Sequence, residues 1–237
     1  MRRSLTMVFT AALMAAPMVA AAQGAPAADE QSRSIKDGGV KVAGWKGMID
    51  ASEAKKGLTI ENAKLAAEGK DLRVTTGPAS TYWNDKNAAK GDYTVMAKFT
   101  EPKFQNLNDH PHPYGIVIAG NDMGTENASY LYCAAYGNGT FIVRGFGPTA
   151  FQMNGRRGGA APSVNKAAAK DQPVSQDISV VVKGNTVSCK INGAEVWSAP
   201  KDSLVMAGRL KSTDGAWGVR SAHNTDVIVS GLMAMKP

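Results

Sequence analysis

The 237-residue chain is sparing with the residues that carry most enzyme chemistry: two cysteines, three histidines and 7% aromatic side chains. Two cysteines allow one disulfide at most, so the fold is not a disulfide-stapled scaffold and must rest on a hydrophobic core. Helical periodicity is almost lacking; only Ala51 to Lys56 and Ala167 to Lys170 read as single turns. No Gly-rich phosphate loop, GxSxG or HExxH segment occurs, and no carboxylate pair stands out as a hydrolase acid and base. Lys and Arg do not cluster either. The net charge of +7 is scattered, with its densest point at Arg156-Arg157 in a Gly-rich loop, which argues against a nucleic-acid reader and leaves an acidic polysaccharide open.

The one long apolar run lies at the start. Arg2-Arg3, the stretch from Leu5 to Ala22 and the pattern Ala20-x-Ala22 read as a secretory signal peptide over 1–22, cleaved after Ala22. The run is Ala-rich and interrupted by Pro17, so no membrane span is expected in the mature protein, which belongs in the periplasm or outside the cell. No cysteine sits near the cleavage point to take a lipid. Losing Arg2 and Arg3 lowers the net charge from +7 to +5. Residues 23–39 read as a flexible leader and 40–237 as a single domain, because no linker, repeat or composition shift divides the chain after Val40.

What is present is short β-type runs with turn signals between them. From Ile178 to Ala199 the chain reads ISVVVKGNTVSCKINGAEVWSA, three runs joined by Gly184-Asn185 and Asn192-Gly193, the residue pairs of two-residue hairpins. Counting outward from the turns pairs Val182 with Val187, Val180 with Cys189 and Ile178 with Ile191, and sets Val196 beside Cys189 on the same buried face. The other face then carries Lys183, Thr186, Val181, Ser188 and Trp197, with Lys190 opposite Glu195. Tyr93, Val95, Ala97 and Phe99 share a face in the same way. Such spacing predicts an all-β sandwich or barrel.

A second hairpin, SYLYCAAYGNGTFIVRG, places Tyr132 opposite Arg144 and Tyr136 opposite Thr140. Leu131, Cys133, Ala135, Phe141 and Val143 form its core side; Tyr130, Tyr132, Tyr136, Ile142 and Arg144 form the other. Three tyrosines and an arginine suit saccharide, since rings stack on sugar faces while phenol and guanidinium groups bond hydroxyls. The same face also reads as an ordinary covered or solvated sheet surface. Both cysteines point to the core, which permits a Cys133–Cys189 bridge or two buried thiols.

Two insertions break the rhythm, 102–113 and 145–173, the second with a flexible-looking AAPSVNKAAAKDQP portion. In the first, His110 and His112 flank Pro111 beside Asp109. An extended HxH points both rings to one side, so with a third ligand it could hold a metal, with Asp122 as a candidate and His223 near a strand end as another neighbour. The segment reads equally as a rigid polar turn. Asp122 and Glu126 lie in a loop with the composition of a weak calcium site, or of a plain acidic loop.

The segments YGIVIAGND, KGNTVSCKING and GAWGVR, in this strand order, resemble the concanavalin A-like lectin/glucanase superfamily over roughly Trp45 to Met235. The resemblance within it is to exported laminin-G-like and 3-keto-disaccharide hydrolase (DUF1080-like) domains. It implies an all-β jelly-roll sandwich of two antiparallel sheets with a concave glycan-binding face. Where keto-sugar hydrolases place Glu and Gln, this chain has Tyr130 and Tyr132, while Arg220 and His223 match an arginine and a histidine near the closing strand. The leading expectation is a carbohydrate-binding domain using Tyr130, Tyr132, Tyr136 and Arg144. The alternatives are a 3-keto-glycoside hydrolase or lyase using His112 or His223 with Arg220, and a structural envelope protein without a small ligand.

Overall fold

The structure, a computed structural model, describes residues 31–156 and 158–236. The expected signal peptide and residues 23–30 of the leader lie outside the described residues. The strands in chain order are β1 (Gly39–Val40), β2 (Trp45–Ile49), β3 (Lys64–Glu68), β4 (Asp71–Thr75), β5 (Ser80–Ala89), β6 (Tyr93–Glu101), β7 (Tyr114–Asn121) and β8 (Ser129–Ala135). They continue with β9 (Thr140–Phe146), β10 (Phe151–Gln152), β11 (Gly159–Ala160), β12 (Val174–Lys183), β13 (Thr186–Ile191), β14 (Ala194–Pro200), β15 (Gly215–Ser221) and β16 (Asp226–Met235). One helical turn, α1 (Ala51–Ala54), follows β2. The first sheet runs β1, β3, β4, β16, β6, β12, β13, β14; the second runs β10, β9, β8, β7, β15, β5, β2, with β11 also on β9.

The jelly-roll sandwich is therefore present, and its core follows from alternation. Val95, Ala97 and Phe99 of β6, with Ile178, Val180 and Val182 of β12, meet Ile116, Ile118, Leu131, Cys133 and Val143 of the second sheet in one buried cluster. Each fully buried Val, Leu, Ile or Phe contributes about 1.5–3 kcal/mol. Asn192 (φ 50°) and Gly193 (φ 84°) both take positive φ, as a type I′ turn requires, which sets the β13–β14 connection. Cys133 of β8 and Cys189 of β13 form a disulfide through this core, with Cα atoms 6.2 Å apart and a sequence separation of 56. A closed loop of that length adds about 4 kcal/mol in the chain-entropy view.

The expected β12–β13 register holds: Ile178 pairs with Ile191, Val180 with Cys189 and Val182 with Val187. The next pairing differs by a bulge. Lys190 does face Glu195, but Cys189 faces Trp197, so Val196 is the extra residue and the half-buried Trp197 packs on the core instead of standing outside.

Two segments expected to be flexible are tied down. In the leader, the Arg33 N–H donates to Asn224 Oδ1 (2.8 Å), Asn224 Nδ2 donates to the Gln31 carbonyl (3.2 Å), and buried Ser32 donates to Glu53 (2.9 Å). The 145–173 insertion adds β10 and β11 to the second sheet, buries Phe151 and Val164, and exchanges two hydrogen bonds between Asn165 and buried Gln176. Long loops stay ordered where buried side chains and paired backbone groups hold them. Among the described residues no helix is long and apolar enough to cross a membrane.

Candidate functional site

Strand pairing gathers four connections at one end of the second sheet. Ser221 at the end of β15 lies between Tyr114 at the start of β7 and Ser80 at the start of β5. Tyr114 in turn faces Ala135 at the end of β8, and Ser80 faces Ile49 at the end of β2. The histidine loop before β7, the turn after β15, the β8–β9 hairpin and the turn leading to α1 therefore share this end. Asn108 clamps two of them, its Nδ2 donating to the carbonyls of His223 (3.2 Å) and Asn224 (2.7 Å), while the Ala222 N–H donates to the Pro113 carbonyl (2.9 Å). Glu101, buried at the base of the loop, accepts the Gln105 N–H (3.0 Å).

The result is a three-histidine cluster. His112 Nε2 lies 2.6 Å from His110 Nε2 and 3.1 Å from His223 Nε2, and the His112 and His223 rings stack with centroids 4.0 Å apart. One ligand atom from each of the three falls within 4.8 Å of the others, the geometry of a set that could hold a metal ion. Carboxylates stand behind two of them: Asp109 Oδ1 is 2.6 Å from His110 Nδ1, and Glu53 Oε1 is 3.8 Å from His223 Nδ1. Burial, helped by the neighbouring His223 and His110 rings, pushes the His112 pKa down to about 3, so this imidazole is neutral at ordinary pH.

One row further into the sheet, Arg220 is buried at 6% exposure and held by a two-pronged pair to Asp50, at 2.7 Å and 2.6 Å. Its Nη1 also donates to Thr81 Oγ1 (3.0 Å) and the Tyr130 hydroxyl (3.3 Å). The guanidinium lies 4.9 Å from the centroids of both the Tyr132 and the Phe146 ring. Such a pair survives burial because every charge has a partner and the planar cation can stack as well as bond. Asp50 and Glu53, which no sequence argument singled out, link the two groups: they sit at either end of one helical turn, Asp50 on Arg220 and Glu53 facing His223. Their signal was the i, i+3 carboxylate spacing in the turn expected from Ala51.

The tyrosine face is present in register but not in exposure. Tyr132 faces Arg144, yet Tyr130 and Tyr132 are only 2% and 3% exposed, packed with Val117, Ala134 and Ile142 and stacked on Phe146. They form a second apolar layer and offer no open ring for stacking; Arg220 occupies the place over Tyr132. Tyr136, Arg144 and Phe146 stay half-buried at the edge. Burial pushes the Tyr136 phenol up to about 12, which keeps it a neutral donor. Asp122 is separated from the histidines of the expected set His110, His112 and Asp122: it follows the far end of the eight-residue β7 and pairs with Lys211 there, while His223 lies beside His110 and His112.

Neither a family model nor any curated protein matches this chain by sequence. Solved structures share its fold. The carbohydrate binding module CBM66 from Bacillus subtilis superposes with TM-score 0.50 at 10% identity, over 83% of this chain and 98% of that one. A Bacillus subtilis protein of unknown function with a galectin-like fold gives 0.53 at 11% identity, over 81% and 89%. The endo-beta-1,3-glucanase from Pyrococcus furiosus gives 0.51 at 10% identity, over 81% and 88%. At such identity the likeness establishes the two-sheet jelly-roll fold and leaves the activity to the site itself.

Proposed function

We propose that the protein is an exported carbohydrate-binding domain that takes saccharide on the outer face of its second sheet, where Tyr136, Arg144 and Phe146 are half-open. The observation that carries this reading is Arg144. Its Nε is buried and, among the described residues, donates to no acceptor, while Tyr132 and Gln152 flank it in register. A buried donor left unmet costs about 1–3 kcal/mol, and a saccharide hydroxyl is an acceptor suited to it. Sharing a fold with a carbohydrate binding module and a glucanase supports the same ligand class. Export rests on the apolar, Ala-rich start of the chain.

A keto-glycoside hydrolase or lyase stands second. The gathering of His112 and His223 one row from Arg220 favours it. Against it, Arg220 is committed to Asp50, and an imidazole held near 3 is a poor base at neutral pH. Glycan-array screening of the exported chain, followed by calorimetry on the best binder, tests the order. The expected result is binding that weakens about tenfold or more in Arg144→Ala with the melting temperature unchanged. Turnover of a 3-keto-disaccharide lost in His223→Ala would put the enzyme first; neither binding nor turnover would leave a structural envelope protein.

A further inference from the structure

We propose that His110, His112 and His223 bind one divalent transition-metal ion of the zinc class through their three Nε2 atoms. This assignment is independent of saccharide binding. It starts from hydrogen positions. A carboxylate bonded to Nδ1 holds the proton on that nitrogen, so Asp109, 2.6 Å from His110 Nδ1, sets the tautomer of His110 and leaves its Nε2 with a lone pair, while Glu53 adds negative charge 3.8 Å behind the His223 ring. His112 Nε2 lies between that nitrogen, 2.6 Å away, and His223 Nε2, 3.1 Å away. One N–H on His112 can serve only one of them. A cation placed among the three nitrogens serves all three at once, and lone pairs facing each other at these distances repel unless something positive lies between them.

The spacing is near what an ion needs. Tetrahedral zinc with bonds of about 2.0–2.1 Å to nitrogen sets its ligand atoms about 3.3 Å apart. The nitrogens here span 2.6 Å to less than 4.8 Å, so small ring rotations bring them to that value. The backbone is already fixed by the Asn108 clamp and by Ala222 on Pro113. Imidazole ligands select zinc, copper, nickel or iron over calcium or magnesium, which prefer oxygen. The Asp109 carboxylate bonded behind His110 is the outer-layer partner common to histidine metal sites, and Glu53 stands 3.8 Å behind His223. Three protein ligands leave a fourth position for water or a ligand oxygen.

The test uses the mature chain prepared without a histidine tag, treated with chelator and titrated with zinc by calorimetry and with cobalt by absorption spectroscopy. One equivalent is expected to bind with micromolar or tighter affinity, with the visible bands of nitrogen-ligated cobalt. His112→Ala should weaken binding about 100-fold. Because His112 is half-buried, the exposed His110→Ala provides the variant that keeps the fold, and it should weaken binding about tenfold or more. Asp122→Asn should change nothing. Absence of stoichiometric binding, or binding that survives both His110→Ala and His223→Ala, would overturn the assignment. A saccharide that binds the metal-free chain, or none at all, bears only on the previous section.

Discussion

On β12 to β14 of the first sheet, Lys183, Thr186 and Glu195 stand in water while Val180, Val182 and Cys189 fill the core; in the second sheet every residue of β8, from Ser129 to Ala135, is buried. Both sheets contribute one face to the same core. They differ in what lies on the other side. The first sheet's outer face is solvated scaffold, whereas the second sheet's carries Tyr130, Tyr132 and Ile142 as a second apolar cluster, with Arg220 stacked above it and α1 closing one end. A buried outer face with a paired charge in it is costly to build for stability alone, because apolar residues would fill the space at lower cost. That favours the second sheet as the place of the proposed sites, with the first as its support.

The sharpest way to break this contrast is Arg220→Met. It leaves Asp50, 19% exposed at its side chain, without the cation that neutralises it. Removing one partner of a buried pair costs about 3–5 kcal/mol, and the stacking over Tyr132 and Phe146 goes with it. Denaturant unfolding of Arg220→Met against the double variant Arg220→Met/Asp50→Leu checks the cause, since the double variant should regain most of the loss. A single-variant cost below about 1 kcal/mol would mean that water reaches Asp50 freely and that the outer face is as solvated as the first sheet's.

Local chemistry made the first sheet readable and the second only half so. Gly184-Asn185 and Asn192-Gly193 fix turn type and hence register, and Ile178, Val180 and Val182 pair as counted. The bulge at Val196 escaped because nothing near it distinguishes one extra residue from none, and Trp197 changed faces with it. In the tyrosine hairpin the register was legible but not the burial: alternation says which residues share a face, never what lies against that face. Tyr130 and Tyr132 are covered by Phe146 and by Arg220, the latter more than 80 residues away in sequence. His110 and His112 could be read as facing one way, whereas His223 needed the topology that brings the end of β15 beside the start of β7. Asp50 and Glu53 act on partners about 170 residues distant, which no local pattern encodes.

A middle-sized effect concerns the base of the histidine loop. Burial raises the Glu101 carboxyl from its ordinary 4.5 to about 7, and the Gln105 N–H only partly offsets this. The folded chain therefore holds this proton more tightly than the unfolded chain. The stabilisation is fully present below about pH 4.5 and is lost as the pH rises through about 7, at most about 3 kcal/mol from this group. Glu101→Gln, which stays neutral, should remove that slope. Unfolding at about pH 5 and about pH 8 would show the variant gaining on the wild type at the higher pH. An unchanged difference between the two would mean that Glu101 is ionised in the fold and that the loop base is wet.

The smallest effect belongs to the first sheet. Lys190 and Glu195 face each other on β13 and β14, with Glu195 exposed. Exposed cross-strand charges gain little, because water screens them and two long side chains must be ordered to meet. Glu195→Ala should therefore shift unfolding free energy by less than about 0.5 kcal/mol, with no change in saccharide or metal binding. Set beside Arg220→Met, the same kind of change, loss of one member of an opposite-charge pair, would differ about tenfold in cost between the two outer faces. A loss above about 1 kcal/mol at Glu195 would show that the meander's outer face is also covered, and the division of labour between the sheets would fail from the other side.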